Sequence, residues 1–222
     1  MEKVRTIILE RSLAESLEEE ANELRRELKE RKVFLLNVMS SPGSGKTSTL
    51  IRVVNLLKNK YRIAIMEADI DSDVDTIRVS KETGVKSIQL HTGGMCHLDG
   101  SMTRQGLEAL EDNYDFVILE NIGNLVCPAE FDTGASMNMV ILSVPEGSDK
   151  PLKYPLMFEK CDLVAINKID TIDYFDFDYN IVSDFIFKRN KKAHILKISA
   201  KTGFGIQELA DYLDAQIEAW RA

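Results

Sequence analysis

The chain has 222 residues, 44% of them hydrophobic, and its 28 basic and 36 acidic side chains leave a net charge of −8. That length and apolar content suit one large α/β domain, and the acidic balance argues against a nucleic-acid surface, which needs clustered Lys and Arg. No apolar stretch approaches the roughly 18 residues of a membrane span, no signal-peptide core is present, and three cysteines give no disulfide framework, so a reducing cytoplasm is the expected setting.

The N-terminal segment differs from the rest. Ser12-Leu13-Ala14-Glu15 is a capping box, and Leu13, Leu17, Ala21, Leu24 and Leu28 form one helical stripe. Glu18–Glu20 and Arg25–Arg26 make a solvated face. Residues 1–32 are therefore expected to be an amphipathic helical extension that packs on its own domain rather than on a partner.

An apolar run at 33–38 then leads into Ser-Ser-Pro-Gly-Ser-Gly-Lys-Thr at Ser40–Thr47. A buried strand, a glycine turn and a helix start follow in order, as a phosphate-binding loop requires. Glycines let backbone N–H groups converge on a phosphate, and the helix N-terminus adds partial positive charge. Pro42, Gly43, Ser44, Gly45, Lys46, Thr47 and Ser48 are the expected nucleotide-binding loop. Lys46 reaches the β- and γ-phosphates, and the Thr47 hydroxyl ligates Mg²⁺. Ser40 stands where the motif usually begins with glycine.

A strand at 62–67 is followed by alternating aspartates. Asp69 and Asp75 are assigned to the Mg²⁺ ion or the attacking water, while Asp71 and Asp73 fit the first turn of the next helix. After a strand at 87–90 comes Thr92-Gly-Gly-Met-Cys-His-Leu-Asp, with Cys96 beside His97. The strand at 116–120 ends in Glu120, a Mg²⁺ ligand directly or through water, and Gly123 follows with its N–H toward the γ-phosphate. Cys127 lies four residues beyond Gly123. Two thiolates and an imidazole suit Ni²⁺ or Zn²⁺. Cys96 and His97 face one ion only if they sit in a turn, and spacing alone leaves buried packing thiols as the other reading. Cys161 has no nearby partner and is expected to pack.

Strands at 139–144 and 162–166 follow, the latter entering Asn167-Lys168-Ile169-Asp170. The Asp170 carboxylate can accept from guanine N1–H and N2, a donor pair that adenine lacks. Asn167 adds an amide contact, and the Lys168 stem covers the base. The last strand, at 194–198, ends in Ser199-Ala200-Lys201, which resembles the final base-contacting loop of GTPases. About seven strands alternating with helical segments imply an α/β P-loop NTPase: a doubly wound, mostly parallel sheet with helices on both faces, occupying 33–222.

Four segments together resemble the HypB family of GTPase accessory proteins for nickel insertion into [NiFe] hydrogenase. They are the Ser40–Thr47 loop, Glu-Asn-Ile-Gly-Asn-Leu-Val-Cys-Pro-Ala-Glu-Phe-Asp at Glu120–Asp132, the Thr92–Asp99 segment, and Asn-Lys-Ile-Asp. The resemblance runs from about residue 33 to the end. It implies GTP/GDP, Mg²⁺ and Ni²⁺ or Zn²⁺ as bound species, and a homodimer promoted by nucleotide or metal. It also implies a hydrogenase maturation protein and the hydrogenase large subunit as partners. By resemblance, Cys96, His97 and Cys127 form a metal site shared between subunits. The lysines of Glu146–Lys153 reach the partner's nucleotide. Lys46, Asp75 and Gly123 act in slow GTP hydrolysis, with no catalytic Arg or Gln evident near the switch loops. Met1–Arg11 has neither the Cys-rich nor the His-rich tract of some members, so nickel storage is not expected. Urease-type nickel GTPases and cobalamin-mutase GTPase chaperones share the nucleotide motifs but fit the cysteine pattern less well. A metal-binding scaffold that needs no turnover is the remaining alternative.

Overall fold

A computed structural model describes residues 5–8, 17–69 and 74–222. The expected capping box at Ser12–Glu15, together with Asp71 and Asp73, lies outside the described residues.

All the described strands run parallel in one sheet. They are β1 (Arg5–Ile8), β2 (Phe34–Ser40), β3 (Ile63–Asp69), β4 (Lys86–His91), β5 (Phe116–Glu120), β6 (Met137–Ser143), β7 (Leu163–Asn167) and β8 (His194–Lys197). Their spatial order is β1-β4-β3-β5-β2-β6-β7-β8. Seven are the strands expected from the apolar runs. The eighth, β1, pairs with β4 at one edge, Arg5 opposite Ile88 through Ile8 opposite His91. It falls inside the segment read as purely helical.

The α-helices of the described chain are α1 (Leu17–Glu30), α2 (Lys46–Leu57), α3 (Val74–Thr83), α4 (Gly100–Glu108), the short α5 (Cys127–Glu130), α6 (Lys150–Lys153) and α7 (Pro155–Glu159), then α8 (Tyr179–Arg189) and α9 (Ile206–Arg221), with 3-10 turns at Val144–Glu146 and Ile169–Tyr174. Strand alternation sorts β2 into two cores. Phe34, Leu36 and Val38 pack with Leu50, Val53 and Val54 of α2 and with Leu209, Leu213 and Ile217 of α9. Leu35 turns the other way, to a core with Leu24 and Leu28 of α1 and Met102 of α4. Farther along the sheet, Val140 and Leu142 pack with Met157 and Phe158 of α7 and Ile186 of α8. This is the two-faced burial that parallel strands need.

The apolar stripe of α1 is seated as its spacing requires: Ala21, Leu24 and Leu28 are buried. Arg25 fixes the helix in register. Its Nη2 donates to both oxygens of Asp132 at 2.6 and 2.7 Å, and its Nε donates to the Ala135 carbonyl at 2.9 Å. The helix therefore docks on its own domain, against the loop that follows Cys127.

Candidate functional site

β2 lies between β5 and β6, so the chain leaves its carboxyl end where the strand order reverses, and a crevice opens there. Lys46 is the first residue of α2, and Gly45 caps it at φ 97°, a left-handed conformation that favours glycine. Lys46 Nζ donates to Ser40 Oγ at 3.0 Å. The serine in place of the usual first glycine thus anchors the lysine at the strand end.

Pro42, Gly43, Gly45, Lys46, Thr47 and Ser48 line a cleft of about 420 Å³ together with Asp69, Asp75, Glu120 and Gly123. Thr47 Oγ1 donates to Glu120 Oε1 at 2.9 Å, while Glu120 Oε2 is buried without a hydrogen-bond partner among the described residues. Burial raises the Glu120 pKa above the ordinary carboxylate range, and the nearby Lys46 charge and the Thr47 hydrogen bond pull it back. A hydroxyl and an orphaned carboxylate oxygen beside a phosphate loop are hard donors suited to Mg²⁺. That ion takes one or two protein carboxylates and completes its shell with phosphates and water. A Cβ on Gly123 would lie 3.1 Å from Pro42 Cγ, so the loop after β5 rests closely on the phosphate loop.

Four residues that the sequence reading did not single out stand here. Glu67 of β3 is in register with Glu120 of β5 on one side and Gln89 of β4 on the other. The three form a buried polar row across neighbouring strands. Thr76 of α3 closes the row, its hydroxyl donating to Glu67 Oε2 at 3.0 Å and also meeting Gln89 Oε1. Burial, and then the charge of Glu120, push the Glu67 pKa far upward. The fourth residue, Arg78 of α3, lines the cleft although no arginine was expected near it.

A second cleft, of about 580 Å³, adjoins the first and is lined by Asn167, Lys168, Asp170, Ala200 and Lys201. Buried Asn167 braces the loops around it. Its Nδ2 donates to the Ser44 carbonyl at 2.8 Å, and its Oδ1 accepts from the Ala200 N–H at 3.0 Å. Lys168, at φ 60°, donates to the Gly43 carbonyl at 2.7 Å. Ser199 Oγ donates to Asp170 Oδ1 at 2.6 Å. Asp170 is exposed in the open cleft.

Cys96 and Cys127 meet, 31 residues apart, with Sγ atoms 2.7 Å from one another. The hydrogen bond to Cys127, then burial, raises the Cys96 pKa. His97 sits in the same turn, but its ring stacks on Phe131 with centroids 3.6 Å apart. Among the described residues no group of three or more His, Cys, Asp and Glu has metal-holding geometry. The structure joins the two thiols and leaves His97 beside them, against an aromatic ring. Cys161 is buried, and burial pushes its thiol up to about 12, which fits a packing role.

The sequence profile of the CobW/HypB/UreG nucleotide-binding domain matches residues 34–197. Over 215 residues the chain is 40% identical to the hydrogenase maturation factor HypB of Rhizobium leguminosarum bv. viciae, which covers 96% of this chain and 72% of that protein. The chain belongs to the HypB family. It is 42% identical over 185 residues to HypB of Azotobacter vinelandii, covering 83% of this chain and 61% of that protein. The crystal structure of HypB from Helicobacter pylori in complex with nickel superimposes with a TM-score of 0.85 at 36% identity, over 93% of this chain and 97% of that one. Its P-loop NTPase architecture is that of this chain. No helix among the described residues is long and apolar enough to cross a membrane.

Proposed function

We propose that the chain is a cytoplasmic GTPase and nickel metallochaperone that assists [NiFe] hydrogenase maturation. In this reading GTP spans the two clefts, with guanine on Asp170 and the phosphates over Gly43–Ser48. Thr47 and Glu120 would hold Mg²⁺ at the phosphate end, with Asp69 and Asp75 as further carboxylates lining the same cleft. Mg²⁺ when bound neutralises charge on the phosphates. Lys46 stabilises the charge that builds on the β/γ oxygens, Asp75 orients the attacking water, and the Gly123 N–H meets the γ-phosphate. Ni²⁺ is the cargo, held by Cys96 and Cys127, with Zn²⁺ the competing ion for the same soft donors.

One observation carries the coupling. Gly123 lines the phosphate cleft and lies four residues before Cys127, the first residue of α5, which touches Cys96. Loss of the γ-phosphate frees Gly123, the loop shifts, and the thiol pair that holds the cargo is disturbed. Metal affinity then depends on nucleotide state, and the reverse must hold. Two thiols are an incomplete set for a tetrahedral ion. A second subunit supplies the remainder, with His97 joining after a ring rotation off Phe131. That places the ion at a homodimer interface, from which the maturation partner and the hydrogenase large subunit receive it.

The test is a Ni²⁺ titration of the pure protein with GDP and with a non-hydrolysable GTP analogue, paired with turnover of Lys46→Ala. Nickel affinity that differs between the two nucleotide states, and turnover abolished in the variant with circular dichroism unchanged, are the expected results. Identical affinities in both states reject the coupling, and normal turnover in Lys46→Ala rejects the phosphate-loop assignment. Delivery of nickel to the acceptor without hydrolysis favours the scaffold reading.

A further inference from the structure

Arg78 stands on α3 three residues beyond Asp75, and its guanidinium lies where the two clefts join. Among the described residues, Nη1 donates to Ser48 Oγ at 3.3 Å and Nε donates to Glu82 Oε1 at 2.8 Å. The two clefts have Gly45, Ser48 and Arg78 in common. That order decides what passes beside the guanidinium. Lys46, Thr47 and Gly123 line the phosphate cleft alone, and Asn167, Asp170 and Lys201 line the base cleft alone. A nucleotide that fills both sets its first phosphate and its sugar at the shared residues. The distal phosphates have Lys46, while the junction has Arg78 as the cation lining it. A guanidinium offers a planar fork of donors that matches phosphate oxygens. Here Glu82 engages the Nε edge, one helical turn along α3, and so steadies the head with its Nη groups toward the cleft.

We propose that Arg78 binds the α-phosphate of the nucleotide and so distinguishes phosphorylated ligands from the bare nucleoside. The inference rests on the two-cleft nucleotide reading above and adds a contact to it. Surface pairing with Glu82 alone would give the same i,i+4 geometry, with no effect on ligands. The side chain is 45% exposed, so solvent weakens the interaction and the expected effect is about tenfold rather than hundredfold.

The experiment measures GDP, GMP and guanosine by competition against a fluorescent GDP derivative, with Mg²⁺ chelated, for wild type, Arg78→Ala and Arg78→Lys. Arg78→Ala should weaken GDP and GMP about tenfold each and leave guanosine unchanged, with partial recovery in Arg78→Lys. Weakened GDP with unchanged GMP overturns the α-phosphate assignment. Equal loss for guanosine shows that the residue acts through the fold and overturns it too, as does no loss for any of the three. Arg78→Gln takes the place of the alanine variant should that fail to fold. A wild type that binds ADP as tightly as GDP defeats the guanine reading instead. The Arg78 contrast is then read with ADP, AMP and adenosine.

Discussion

The Asn167 amide occupies the space beside Gly45 that any side chain there would need: a Cβ on Gly45 would fall 2.5 Å from Asn167 Nδ2. The same nitrogen donates to the Ser44 carbonyl at 2.8 Å, so the base-side strand and the phosphate loop are locked together at one atom. Gly45→Ala must therefore displace Asn167 and also hold a non-glycine residue at φ 97°. We expect a loss of about 1–3 kcal/mol in urea unfolding from the backbone strain alone, and a larger proportional loss in GDP binding. Adding Asn167→Ala should relieve the collision but not the strain. GDP affinity unchanged in Gly45→Ala would show that the two loops are not coupled through this contact.

Asp170 accepts from Ser199 with one oxygen, which leaves the carboxylate directed but still able to meet a base. Asp170→Asn replaces an acceptor-only group by one that also donates. GTP should bind more weakly and xanthosine triphosphate more tightly, by about 10–100-fold in ratio, consistent with roughly 1.4 kcal/mol per tenfold. Competition binding reads the ratio. Equal affinity of the unmodified protein for ATP and GTP would sink the guanine assignment.

What could be read from sequence divides along a physical line. The phosphate loop and Asn167–Asp170 are contiguous, and each sits at the end of a visibly apolar strand, so spacing alone places them. Glu67, Gln89 and Glu120 are separated in sequence and become neighbours only because β4, β3 and β5 lie side by side. Arg78 is spaced like any exposed helical arginine. It reaches the cleft because α3 follows β3 on the open side of the crevice. β1 escaped notice because Arg5–Ile8 is a four-residue strand beside a strong helical pattern. Spacing alone leaves Cys96 and Cys127 open to a reading as packing thiols, and only the family resemblance puts them together with His97; the stacking of His97 on Phe131 depends on two turns that no periodicity encodes.

The buried row also predicts a pH effect on the protein free of metal and nucleotide. Glu67 titrates well above its ordinary value of 4.5, because of burial first and Glu120 second. The folded state therefore holds a proton that the unfolded state releases at lower pH. The associated stability is fully present below pH 4.5 and declines as pH rises toward the folded-state pKa. Glu67→Gln keeps the shape and removes the titration. Its melting temperature should vary less between about pH 5 and 9 than that of the wild type. Scanning calorimetry across that range is the check, and parallel pH profiles for the two proteins would count against a proton on Glu67.

Cys127 gives the sharpest test, because in the proposed reading it joins the metal to the segment that carries Gly123. Cys127→Ala removes one of two touching thiols and leaves the nucleotide clefts intact. Nickel affinity should fall roughly a hundredfold or more, since losing an outer-shell partner alone costs about 10–100-fold. GDP affinity should not change. The Cys96 pKa is raised, so the thiol is protonated near neutrality and must lose its proton on binding. Affinity should accordingly fall as pH is lowered from about 8 to 6, with protons released on metal addition. Cys127→Ala leaves one thiol to deprotonate in place of two, so the pH dependence should weaken along with the affinity. If the ion bridges two subunits, nickel should drive wild type toward dimers in sedimentation and leave the variant unmoved. Wild-type nickel affinity in Cys127→Ala would exclude this thiol from the site. Nickel-driven dimers persisting in the variant would place the bridging ligands elsewhere on the surface.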